Sequence, residues 1–270
     1  MKLVRAHIAI GVVLISAGCT TSEYRHSASA HQVATDRSVT LAGKPRSVEI
    51  DLRKTAVIVV DMQNDFGSKG GMFDRAGIDI SGIQKAVAPT ARTLAAARKA
   101  GIPIVYLKMG YRPDLSDLGA EGSPNRAVHE FLHVGETVRA PDGRKGRMLV
   151  RDTWNTDIVD DLKPQAGDTV IYKTRFSGFY NTDLDAILKR RGVTKLIMTG
   201  CTTSICVEST IRDAMFRDYS TVLLSDCSAE PIGHELPRSN HDASLLVVQT
   251  LLGSVSTSED FIKSVESSKQ

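Results

Sequence analysis

From residue 48 onward the chain alternates apolar runs with stretches of helical periodicity. Ala56-Val57-Ile58-Val59-Val60 is apolar throughout and almost wholly β-branched, the pattern of a strand buried on both faces. Residues 102–107, 168–172, 195–199 and 221–224 predict four more strands, and a last short one falls near Ser254. Apolar positions at helical spacing predict helices over 83–100, 184–191, 204–219 and 240–252. Gly101 and Gly192 stand just past two of these, where the chain needs a residue tolerant of left-handed backbone. Lys189-Arg190-Arg191 suits the negative end of its helix dipole. This order implies an α/β domain, a parallel sheet covered by helices on both faces, joined by right-handed crossovers. Residues 110–155 break the rhythm. They are rich in Gly, Pro and charge, and read as a long excursion over one end of the sheet.

The N-terminus follows another pattern. Lys2 and Arg5 precede an apolar run over 8–18, too short to span a bilayer but suited to a signal peptide. The run closes on Leu14-Ile15-Ser16-Ala17-Gly18-Cys19, which resembles a bacterial lipoprotein cleavage site with Cys19 as the acylated residue. Cleavage after Ala28-Ser29-Ala30 is the alternative. The expected organisation is a signal peptide over 1–19, a flexible tether over 20–47, a folded domain over 48–260 and a tail over 261–270. The expected location is outside the cytoplasm, anchored to the membrane by lipid and facing the periplasm or cell exterior. Beyond Cys19 only Cys201, Cys206 and Cys227 remain, an odd number that makes no disulfide framework and points to a free thiol with a reason to persist. The net charge of +3 is small and spread out, which gives no reason to expect a nucleic-acid partner.

Three residues stand at the carboxyl ends of predicted strands, where open α/β sheets bind ligands. Asp61 directly follows the first strand, Lys173 the third, and Cys206 the fourth after a short loop. A thiol attacks best as its thiolate, which a helix N-terminus and a nearby ammonium favour. Asp61 can take the thiol proton and deliver it to a leaving amine. The N–H groups of Thr202 and Cys206, at the turn before a helix, can hold an oxyanion. Singly, each residue has a plainer reading: a turn aspartate, a solvated lysine, a small buried hydrophobe.

The surrounding motifs separate these readings. Val59-Val60-Asp61-Met62-Gln63-Asn64-Asp65-Phe66, Lys173-Thr174-Arg175-Phe176-Ser177-Gly178-Phe179 and Gly200-Cys201-Thr202-Thr203-Ser204-Ile205-Cys206-Val207-Glu208-Ser209-Thr210 resemble, in order, the three motifs of the isochorismatase-like cysteine hydrolases. The resemblance covers roughly residues 50–258. It implies a three-layer αβα fold around a central, mostly parallel six-stranded sheet. It also implies an Asp61–Lys173–Cys206 triad and a cis peptide at Cys201–Thr202. Gly122-Ser123-Pro124-Asn125 and Arg175-Phe176-Ser177-Gly178-Phe179-Tyr180-Asn181-Thr182 are nearest to the ureidoacrylate amidohydrolases of that family. The implied substrate is a small amide or ureido compound. Arg175 would pair with a substrate carboxylate through its planar fork, Phe66, Trp154 and Phe179 would line the pocket, and Asn125 would hydrogen-bond the ureido group. No cofactor is expected. The family's nicotinamidases carry a metal site built from Asp and His after the first strand, and this chain has no His between residues 62 and 128. Export departs from what a cytosolic pyrimidine-breakdown enzyme requires.

Two other classes compete. His129-Glu130-Phe131-Leu132-His133 matches the zinc-protease pattern, which on a helix would place both histidines on one face. The chain could instead be a surface binding protein that keeps the fold without catalysis. Gly67-Ser68-Lys69-Gly70-Gly71 lacks phosphate-loop spacing and reads as a flexible loop. A homo-oligomer is a common solution for this architecture.

Overall fold

The computed structural model describes residues 37–233 and 235–268, and its centre is a six-stranded, all-parallel sheet. In chain order the elements are β1 (Ser38–Leu41), β2 (Val48–Asp51), β3 (Thr55–Val60), α1 (Asn64–Gly67), α2 (Met72–Arg75), α3 (Ser81–Ala100) and β4 (Ile104–Met109). There follow α4 (Pro124–Phe131), β5 (Thr137–Arg139), β6 (Lys145–Arg147), β7 (Thr169–Lys173), α5 (Leu184–Arg190) and β8 (Lys195–Cys201). The chain continues through α6 (Glu208–Met215), β9 (Ser220–Ala229), α7 (Asn240–Val247), β10 (Ser254–Ser256) and α8 (Ser258–Ser267). The central sheet runs β10-β9-β8-β3-β4-β7.

β3 lies in the interior of the sheet, and all six of its residues are buried, as its unbroken apolar pattern requires. Its side chains alternate between two cores. Val57 and Val59 pack with Ile83, Leu94 and Ala97 of α3 and Phe261 of α8. Ala56, Ile58 and Val60 pack with Leu184 and Leu188 of α5 and Ile211 and Ala214 of α6. The three layers follow from that alternation. Gly101 ends α3 in the left-handed region at φ 73°, as its position predicts.

The structure revises several boundaries. The tether expected up to residue 47 is folded from Ser38. β1 pairs antiparallel with β2, and Leu41 and Ile50 are fully buried. The two buried residues of β1, Val39 and Leu41, sit in a Ser- and Thr-rich stretch too short to carry a visible period. The expected tail is helix α8, which buries Phe261 and Val265 one turn apart. The helix expected over 204–219 opens instead with a π turn, Thr203–Val207, and α6 begins only at Glu208. The helix expected over 240–252 likewise divides into α7 and a π turn, Val248–Leu252. The excursion over 110–155 holds α4 and the β5–β6 hairpin. The expected signal peptide, Cys19 and the tether up to residue 36 lie outside the described residues. Among the described residues no helix is long and apolar enough to cross a membrane.

Candidate active site

Asp61, Lys173 and Cys206 converge at the carboxyl end of the sheet. Val60, the last residue of β3, pairs with Gly200 of β8 on one side and Leu107 of β4 on the other. Gly200 has no substitute here, because its φ is 114° and an added Cβ would lie 2.0 Å from the Val60 carbonyl oxygen. Asp61 follows in the left-handed region at φ 52°, which aspartate tolerates better than most residues. Lys173 ends β7, beyond β4 from β3. Two strand spacings amount to about 10 Å, a gap that a short side chain cannot cross. The lysine stem does: its Nζ lies 2.7 Å from Asp61 Oδ2, 3.6 Å from Met109 Sδ and 3.3 Å from the Arg175 carbonyl oxygen.

The pair is buried, with Asp61 0% and Lys173 1% exposed. Burial pushes the Asp61 carboxyl up, and the Lys173 ammonium opposes that shift. Burial works to lower Lys173, and its contact with Asp61, aided by Cys206, holds it above its ordinary value. Burial also raises the Cys206 thiol far above the usual thiol range. Lys173 opposes this and the Asp61 charge adds to it. Burial thus favours the neutral thiol of Cys206, and Lys173 favours the thiolate. Cys206 sits inside the π turn that precedes α6 rather than at an exposed helix end.

The loop that carries Cys206 is tied on several sides. Ser204 donates from its N–H and its hydroxyl to Glu230 Oε2, at 3.0 and 2.5 Å. Thr203 Oγ1 lies 2.8 Å from Ser228 Oγ and 2.9 Å from His241 Nδ1, and Ser228 donates to the Gly200 carbonyl. The Cys201–Thr202 peptide is cis, as the resemblance implies. The N–H of Thr202 donates to no group among the described residues, so it is free for a ligand.

These residues open on a cavity of about 270 Å³. Asp61, Cys206 and Thr202 line it, as does Phe66. The other expected contacts lie elsewhere. Phe179 is core, stacked on Tyr219 with centroids 5.8 Å apart. Trp154 lines a separate surface groove, and its carbonyl accepts from Asn64 Nδ2 at 2.8 Å. Asn125 donates to the Leu118 carbonyl at 2.7 Å and faces Tyr111 Oη at 3.3 Å, holding the excursion together. Arg175 donates to the carbonyls of Thr174 and Asp117 at 2.6 and 3.2 Å and lies over the Tyr180 ring. All four owe their positions to packing and hydrogen bonds within the chain.

The zinc-protease reading fails on geometry. α4 ends at Phe131, so His133 lies past the helix at φ 57° and is exposed beside Glu136, while Glu130 pairs with Arg126. Among the described residues no three His, Cys, Asp or Glu are grouped to hold a metal. His129, however, does line the cavity and is buried. The sequence reading missed it as a cavity residue. It also missed Asp65, whose carboxylate accepts from the N–H groups of Met72 and Leu149 and from Asn155 Nδ2, stitching the loop after β3 to the excursion. Gln63 was passed over as well. Its amide exchanges two 2.9 Å hydrogen bonds with the Met109 backbone and extends the β3–β4 pairing past the end of β3. A cluster of polar residues directly after a fully buried strand was the available signal for both.

Comparison with known proteins agrees with this geometry. The family model described as "Isochorismatase domain" matches residues 55–260. The ureidoacrylate amidohydrolase RutB of Variovorax paradoxus (strain S110) is 42% identical over 224 residues, 83% of this chain and 86% of that protein. A cysteine hydrolase from Pseudomonas syringae pv. phaseolicola 1448A superposes with a TM-score of 0.68 at 32% identity, covering 81% of this chain and 95% of that one. The N-carbamoylsarcosine amidase of Thermoplasma acidophilum superposes at 0.57 with 26% identity, covering 76% and 97%.

Proposed function

This chain belongs to the isochorismatase family, and on that premise we propose that it cleaves a C–N bond of a small amide or ureido compound through Cys206, by way of an acyl-enzyme. The observation that carries the proposal is the buried Asp61–Lys173 ion pair at the cavity wall that Cys206 shares. The amidohydrolase and amidase named above support the C–N bond as the target.

The charges suggest the order of events. Cys206 rests as a thiol, and Asp61 is a carboxylate whose basicity burial has raised. As the sulfur attacks the carbonyl carbon, its proton passes to Asp61. One buried anion replaces another, Lys173 faces a single negative charge throughout, and the site takes on no additional charge. The carbonyl oxygen gathers negative charge against the N–H groups of Thr202 and Cys206. Asp61 then gives its proton to the nitrogen, the C–N bond breaks and the amine leaves, with the acyl group on sulfur. Water adds to the thioester as Asp61 takes its proton. The C–S bond breaks and the proton returns to sulfur.

Release of ammonia or carbamate by the full chain across a panel of amides and ureido compounds tests the reading. Turnover should vanish in Cys206→Ala, together with any covalent acyl adduct found by mass spectrometry. Full activity in that variant would overturn it. From residues 1–19 alone we propose in addition that the chain is exported and held at a membrane through Cys19.

A further inference from the structure

The cavity wall beyond the catalytic groups is apolar. Phe66, Met72, Phe73, Leu132 and Leu149 form its interior. The same character continues outward through Val128, Phe131, Phe176 and Ile232, all of which are exposed. Among the described residues that line it there is no lysine or arginine. Lys173 is paired with Asp61, and Arg175, outside the lining, turns its Nη1 to two backbone carbonyls and lies over the Tyr180 ring. A carboxylate entering this space would lose its hydration and meet no counter-ion, which is costly.

One neutral polar group interrupts the apolar wall. His129 is 4% exposed, and its Nδ1 lies 2.6 Å from the Asn125 carbonyl oxygen, one turn earlier in α4. A carbonyl oxygen only accepts, so Nδ1 carries the proton. Burial lowers the tendency of this ring to take a second proton, and the charges of Lys173 and Arg175 lower it further. Nε2 is then a bare lone pair with no hydrogen-bond partner among the described residues. The ring stands edge-on to Tyr111 and tilted against Phe176, which hold it in place.

We propose that this site takes an uncharged, apolar amide or carbamoyl compound, aryl or branched alkyl in its side group, that offers an N–H or O–H donor to His129 Nε2, and that it discriminates against carboxylate-bearing ureido acids. The proposal rests on the amidohydrolase reading above and deepens it. It departs from the substrate named for the ureidoacrylate amidohydrolases that this chain matches at about 40% identity, because here the cavity wall holds no cation to receive an acid.

The test uses the full chain and phenylacetamides carrying a hydroxyl, a methyl or a carboxyl at the 3- or 4-position, with 3-ureidopropionate as the ureido acid. The neutral amides should exceed both acids in kcat/KM by roughly a hundredfold or more, the scale on which an unpaired buried group is rejected. His129→Leu should lower kcat/KM for the better hydroxyl compound about tenfold, through KM, and leave its methyl counterpart within about twofold. His129→Gln, which keeps a polar tip, should retain part of the hydroxyl preference and serves if the leucine variant fails to fold. Preferential turnover of the acids, lost in Cys206→Ala, would overturn this inference while leaving the amidohydrolase reading intact. Equal losses on hydroxyl and methyl compounds in both His129 variants would overturn the role of His129. No turnover of any compound would overturn the amidohydrolase reading and this inference with it.

Discussion

Replacing Lys173 by methionine should destabilise the protein in a way that depends on pH, with a sign set by Asp61. The substitution keeps most of the buried stem and removes the ammonium 2.7 Å from Asp61 Oδ2. A charged carboxylate left alone in that fully buried place is too costly to persist, so Asp61 takes a proton instead. Keeping a proton at pH 7 on a carboxyl whose ordinary value is 3.8 costs about 4 kcal/mol, at ~1.4 kcal/mol per pH unit. That figure is a ceiling, because burial already raises Asp61 in the parent protein. For a domain of this size it corresponds to a fall in Tm of roughly 8–16 °C. A folded-state value raised above the unfolded one gives stability that is present at low pH and lost as pH rises. The deficit of Lys173→Met should therefore be greatest above pH 7 and shrink toward zero near pH 4. Asp61→Asn should behave in the opposite way. A buried lysine with an ordinary value of 10.5 must be held neutral at a cost of about 5 kcal/mol at pH 7, and this deficit shrinks as pH rises. The double variant should lose less than the two single losses added. Thermal unfolding followed by circular dichroism from pH 4 to 9 measures all three. A deficit that is flat with pH, or one for Lys173→Met that grows as pH falls, would refute the buried ion pair.

Three further outcomes follow from other parts of the chain. Asp65 is pushed up to about 6 by burial despite its three donors, so the parent should lose roughly 3 kcal/mol of stability relative to Asp65→Asn as pH rises from about 4 to 6, with no further change above; urea unfolding against pH checks this. Phe261→Ala should cost about 3–5 kcal/mol, since Phe261 is fully buried among α3 and β-sheet side chains; an unchanged urea midpoint would show that α8 is dispensable. Expression in a bacterial host with a radiolabelled fatty acid should label the parent and not Cys19→Ala, and a mature chain that retains Met1 would refute lipid anchoring.

The parts of this protein legible in the sequence were those whose signal is local. Ala56 to Val60 reads as a doubly buried strand because every position must be apolar there, and α3 reads as a helix because its buried face repeats every turn. The grouping of Asp61, Lys173 and Cys206 was legible only through motif resemblance, since its geometry depends on strand order. Nothing near Lys173 in sequence says that β4 lies between it and Asp61, or that only a long side chain spans that gap. The pocket contacts were the weakest part of the reading for the same reason. Arg175 and Asn125 have the chemistry to hold a ureido acid, and both are instead turned to backbone carbonyls, Asn125 to Leu118 and Arg175 to Asp117 and its neighbour Thr174. His129 looked like half of a metal motif, yet α4 stops two residues before His133, and the histidine that remains is a lone acceptor in an apolar wall. Asp61 and Lys173 sit at strand ends held by sheet register and Cys206 in the turn after β8, whereas the cavity wall draws on several segments at once, among them the loop after β3 and the excursion, which Asp65 bonds together. Substitutions at those wall positions would reshape the cavity with the ion pair and thiol left in place. The selectivity proposed above requires only such changes in the wall, so it is compatible with the motifs shared with the ureidoacrylate amidohydrolases.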